Sequence, residues 1–149
     1  MRRLALVGLM LLTLAACGQA SRVEVTDAWT RDTVGRTASA AVFMTITSPG
    51  TDRLISASAP VANETGLMTM ETGGGAMAMA YVDAIDLPAD TPVSLNPSGL
   101  HVWLEDLKQP FSAGQTFSLV LEFEKAGEQH VEVSVIAPAA APPMAGMGM

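Results

Sequence analysis

The chain has 149 residues, 49% of them hydrophobic, and a formal net charge of -7 with only eight Lys and Arg. That length buries one ordinary core and not two, and an acidic chain repels phosphate backbones, which sets nucleic-acid binding aside. Few aromatics beside frequent Val, Ala, Thr, Gly and Pro favour β-structure with turns over a helical bundle.

The N-terminus reads as an address. Arg2 and Arg3 precede an apolar run from Leu4 to Ala15 that is short for a bilayer span. The run ends in Leu14-Ala15-Ala16-Cys17, which looks like a bacterial lipobox. The expected organisation is a lipoprotein signal peptide over 1–16 and a lipidated Cys17 with a short tether over 17–22, then one domain over 23–137. Gly18 after the cysteine, rather than an Asp, points to the outer membrane over the inner. Cys17 is the only cysteine, so no disulfide holds the domain together.

Nine short β-rich segments follow in chain order. They are Val23–Trp29, Ala38–Ser48, Arg53–Ala59, Thr65–Glu71, Ala76–Val82, Thr91–Asn96, Leu100–Glu105, Thr116–Glu124 and Glu128–Ile136. Turn signals separate them, among them SPGTD at 48–52, GGG at 73–75, LPAD at 87–90 and NPSG at 96–99. Strands at this spacing without a convincing helix predict an all-β domain, an antiparallel sandwich or barrel. The tail at 138–149 is low-complexity Ala, Pro, Gly and Met and is expected to be mobile.

Alternation places the candidate residues. In LHVWLE, Leu100, Val102 and Leu104 share the core face, and His101 and Trp103 point out of it together. Met68 and Met70 share a face, as do Met77 and Met79, and the triple glycine folds these segments into a hairpin. His130 alternates with Glu132 and Ser134 against three valines and is expected in solvent. An isolated Met-x-Met on a strand is usually packing. Here clustered thioethers accompany one outward His, no thiol and an extracytoplasmic address. Neutral thioether sulfur suits Cu(I), imidazole binds copper well, and neither thioether needs to lose a proton.

These residues, with DAWTRDT, MTITSPGTDRLISASAP and PSGLHVWLEDLKQPFSAGQTFSLVLEFEKAGE, resemble the PCu(A)C periplasmic copper chaperones over about Val23 to Val135. The resemblance implies a cupredoxin-like β-sandwich that binds Cu(I) and supplies copper for the Cu(A) centre of cytochrome c oxidase. The family's motif is a His or Met, ten residues, a Met, twenty-one residues, then His-x-Met. Met68, Met79 and His101 fall on its first three positions in register. Trp103 stands where the family has the final Met.

Four arrangements are open at that position. The site is three-coordinate; Met70 or Met77 moves in as an auxiliary donor; the indole of Trp103 covers a bound Cu(I) by a cation–π contact; or the site has decayed. Met144, Met147 and Met149 in the tail are either loose capture sites or without a role. The expected partners are a copper-accepting oxidase subunit or assembly factor, and a membrane through Cys17, with the chain a monomer in the periplasm. Two alternatives stand beside delivery: a lipoprotein that buffers or sequesters copper, and a metal-free surface lipoprotein. An electron-transfer cupredoxin needs a Cys thiolate with two His, which the mature fold lacks. No nucleophile–base pair suggests an enzyme.

Overall fold

The computed structural model describes residues 22–35, 37–73 and 76–143. The proposed signal peptide, Cys17 and the tail residues Met144, Met147 and Met149 lie outside them.

Ten strands make up the domain, and no helix occurs among the described residues. They are β1 (Glu24–Arg31), β2 (Ala40–Thr47), β3 (Asp52–Ser58), β4 (Ala62–Gly73) and β5 (Ala76–Tyr81), then β6 (Ile85–Leu87), β7 (Val93–Leu95), β8 (His101–Leu107), β9 (Thr116–Phe123) and β10 (Gly127–Ile136). The strand missing from the sequence reading is β6. Its alternation, buried Ile85 and Leu87 around exposed Asp86, spans only three residues and runs into a Pro turn.

Neighbours in the sheet run β5-β4-β8-β2-β1-β10-β9-β3-β6, with β7 paired to β2. The path curls into a sandwich. Leu67, Val102 and Val42 from one end meet Leu54, Leu119, Leu121 and Phe123 from the other in a single buried cluster. The strand pairs are antiparallel as expected except β1 with β10, the first and last strands, which lie side by side in parallel and make the sheet mixed.

Strand β1 changes face part-way. Thr26 pairs with Thr45, but Trp29 pairs with Phe43, so β1 holds one residue more than β2 between these pairs. Asp27 takes up the bulge at φ 53°. Because side chains alternate, the extra residue moves Trp29 from the core side of the sheet to the outer side.

Lys125 and Ala126 close the opposite end around Asp52. This carboxylate is 4% exposed and accepts the backbone N–H groups of Arg53, Lys125 and Ala126 at 2.8, 2.8 and 2.9 Å. Burial raises its pKa, but the three hydrogen bonds and the Lys125 charge together outweigh this and leave it below the ordinary value.

Candidate metal centre

Strand pairing assembles the site on the outer face of the sheet. Tyr81 lies opposite Met68, and Met68 lies opposite His101. The row continues through Phe43, whose ring is 6.1 Å from that of His101, to Trp29 at 4.7 Å from Phe43. Arg31 closes the row, its guanidinium carbon 5.0 Å from the Trp29 ring centroid. Met70 and Met79 form the adjacent pair, and Trp103 pairs with Gly66 on the other side of the row.

This is a second apolar layer. Trp29, Phe43 and Met68 are 5%, 7% and 5% exposed, yet none belongs to the central cluster. Their effect is to close His101 off from water: it points away from the core, as alternation predicts, but is only 2% exposed.

The state of that imidazole follows from its one hydrogen bond. Its Nδ1 is 3.1 Å from the carbonyl oxygen of Gly99. A carbonyl only accepts, so Nδ1 carries a proton, and in the tautomer that this bond selects the lone pair sits on Nε2. Nε2 is buried and has no hydrogen-bond partner among the described residues. Buried polar atoms are rarely left so. A soft metal ion bound beside Met68 would satisfy it, with the Nδ1–H···O=C bond holding the ring in place.

The Asn96–Gly99 turn builds the acceptor. Gly99 N–H donates to the Asn96 carbonyl, Ser98 N–H to Asn96 Oδ1, and Asn96 N–H to the Leu100 carbonyl. The Gly99 carbonyl also accepts Met70 N–H at 3.2 Å, which ties the turn to β4.

The predicted site residues thus fall at different depths. Met68 and His101 are buried and face each other; Met79 is 44% exposed, diagonal to Met68 on the next strand. Met70 is half-buried opposite Met79, and Met77 stands opposite Thr72 in register, its side chain outside the described residues. Trp103 is half-buried with its ring 6.1 Å from His101 and nearly perpendicular to it, at 72°. His130 is exposed and 3.5 Å from Glu128, on β10, three places from β8 in the strand order.

Tyr81 and Gly66 add a feature that the motif does not contain. The Tyr81 ring crosses Gly66 so closely that a Cβ there would lie 2.6 Å from its Cε1. Its hydroxyl donates to Glu105 at 3.3 Å. Partial desolvation, the Glu105 charge and hydrogen bond, and the charge of Glu64 all hold the phenol above its ordinary pKa. With Tyr81 65% exposed, the two carboxylates are the causes a substitution can remove.

Sequence reasoning named the candidate donors and missed the enclosure of His101. Tyr81 continues the Met77–Met79 alternation and was legible as a residue of the same face. Phe43 alternates with Val42 and Met44 and was equally so, whereas Trp29 was concealed by the bulge.

The description "Putative lipoprotein LpqE-like" matches residues 23–135. "Putative lipoprotein Lxx21020" of Leifsonia xyli subsp. xyli is 30% identical over 118 residues, 78% of this chain and 71% of that protein. The copper-bound PCuAC domain from PmoF2 superposes with a TM-score of 0.65 at 26% identity, covering 78% of this chain and 93% of that domain. The solution structure of CuI-DR1885 from Deinococcus radiodurans also gives 0.65, at 28% identity and 83% and 85% coverage. The outer-face site is therefore carried on the fold of the PCuAC domains, and by the match over nearly its whole folded length the chain belongs to the LpqE-like family.

Proposed function

We propose that this protein is an extracytoplasmic Cu(I)-binding chaperone, held to a membrane by a lipid on Cys17, that passes copper to an oxidase subunit or assembly factor making the Cu(A) centre. The observation that carries the reading is the unpartnered, buried Nε2 of His101 directly opposite Met68. Met79 supplies the outer thioether, and Trp103 shields the ion from the side on which the family has its last Met. Copper-bound relatives of the same fold support it.

Thioethers and one neutral imidazole hold Cu(I) without proton release, and less firmly than thiolates, which suits a protein that gives its metal away. The protein's role is to bind, orient and exclude water; no bond-making chemistry is assigned to it.

An anaerobic Cu(I) titration of the purified protein against a chromophoric chelator, with tryptophan fluorescence followed, tests this. One tight equivalent that quenches fluorescence is expected, with transfer to an apo Cu(A) domain on mixing. Tight binding without transfer would make it a copper-buffering lipoprotein. No competition with the chelator would leave a metal-free surface lipoprotein.

A further inference from the structure

Edge strand β5 differs from the other edge of the sheet. At the far end, β6 has three residues, a central Asp86 paired with Arg53 at 3.0 Å, and Pro88 just beyond. These features discourage strand addition. Strand β5, AMAMAY, has six residues with no charge and no proline.

The backbone groups of β5 that no other described strand pairs lie on particular residues. Val82 N–H donates to the Leu67 carbonyl at 2.9 Å. In an antiparallel ladder, hydrogen-bonded pairs alternate with non-bonded ones, so residues 82, 80 and 78 turn their N–H and C=O groups to β4. Met77, Met79 and Tyr81 turn theirs outward, and by the register these are the residues on the face of Met68 and His101.

We propose that β5 is the docking edge for the copper-accepting partner, which adds an extended, basic segment as a further strand and presents a neutral soft donor opposite Met79. The proposal rests on the copper-transfer reading above. Three observations select this occupant. Met79 is the most open of the predicted ligands, 44% exposed against 5% for Met68 and 2% for His101, so exchange begins there. A residue directly across from Met79 on an added strand has its Cβ about 4.5–5.5 Å away, close enough for two side chains to share one ion. Strands β4, β5 and β8 carry Glu64, Glu71, Glu105 and Asp106 and no Lys or Arg, so a basic segment is attracted and a second copy of the same acidic face repelled.

The transfer step is ligand exchange. The bond from copper to the Met79 sulfur breaks as one to the incoming thioether or imidazole forms. Copper stays Cu(I), and no proton or electron moves.

The test uses Cu(I)-loaded protein and a ten-residue peptide of alternating lysine and methionine, with amide hydrogen exchange read residue by residue. The peptide should slow exchange at Met77, Met79 and Tyr81 by about tenfold or more, and added salt should reverse this. Tyr81→Pro removes an outward N–H at an edge position where proline is tolerated. Ala78→Lys puts a charge on the exposed opposite face of the same strand. Both should abolish the protection and slow copper passage to the peptide, and Ala78→Lys, which lies off the site's face, should leave the affinity for Cu(I) unchanged. Two results overturn the proposal: no slowing of the β5 amides by the peptide, or parental transfer rates in both variants. Concentration-dependent protection of the same amides without peptide, with a dimer in sedimentation, would make a second copy the occupant and also overturn it. Absence of Cu(I) binding would instead sink the copper reading, and is scored separately by the chelator titration.

Discussion

His101 and Gly99 hold a short-range contact with a long reach: the carbonyl of one fixes the proton of the other on Nδ1, at 3.1 Å, and so frees Nε2 inside a layer of aromatic rings. His101→Ala removes the only nitrogen donor proposed. Its Cu(I) affinity, read by chelator competition, should fall by more than the roughly 10–100-fold typical of losing an outer-shell partner. Affinity equal to the parent's would remove His101 from the site.

Phe43 is the middle of the aromatic row, 7% exposed and in contact with both Trp29 and His101. Phe43→Ala should lower stability by about 3–5 kcal/mol, and Phe43→Leu by under about 1.5 kcal/mol. Urea denaturation measures both. A small loss in the alanine variant would show that the outer layer is only loosely packed.

The chain contains one tyrosine, so its phenol can be titrated by ultraviolet absorbance without assignment. Tyr81 should ionise above the ordinary phenol value, and Glu105→Gln should bring it down by removing both the nearby charge and the accepted hydrogen bond. Gly66→Ala should act in the same direction, since the new Cβ displaces the ring from its path to Glu105. By linkage, the protonated phenol favours the folded state. That contribution is present below the unfolded pKa and is lost as pH rises through the folded one. An unchanged titration in Glu105→Gln would show that the carboxylate is not the cause.

Asp52 sets the acid limb. Its folded pKa is lowered, so its stabilising contribution is present above the unfolded value near about 4 and is lost as pH falls through the folded value. Asp52→Ala strands three backbone N–H groups and should cost at least about 1–3 kcal/mol at neutral pH. The parent and variant should converge in acid. Equal pH profiles for the two proteins would refute this role.

Much of this could be read before the structure. The alternation in LHVWLE put His101 and Trp103 on one face because β8 is regular from His101 to Glu105, before Asp106 turns to φ 53°. The hairpin of methionines was legible for the same reason, and its register places Met70 opposite Met79. Strand β6 was not legible, since three residues carry too little pattern. Nor was the enclosure of His101. Trp29 comes to back Phe43, the ring beside His101, only through the extra residue at Asp27, which reverses the parity of β1 without any glycine to announce it. Pairing between strands that are not consecutive in the chain, such as Met68 with His101, depends on the sheet order rather than on any local signal.

Finally, the unequal depth of the thioethers bears on chemical damage. Methionine sulfoxide forms where an oxidant can reach sulfur. Met79, 44% exposed, should therefore oxidise well before Met68, 5% exposed, when the protein is treated with peroxide and its peptides are weighed. The lesion would turn a soft thioether into a polar sulfoxide at the rim and leave the inner pair, Met68 and His101, intact. A reductase able to reach the exposed strand could then restore the residue without unfolding the domain.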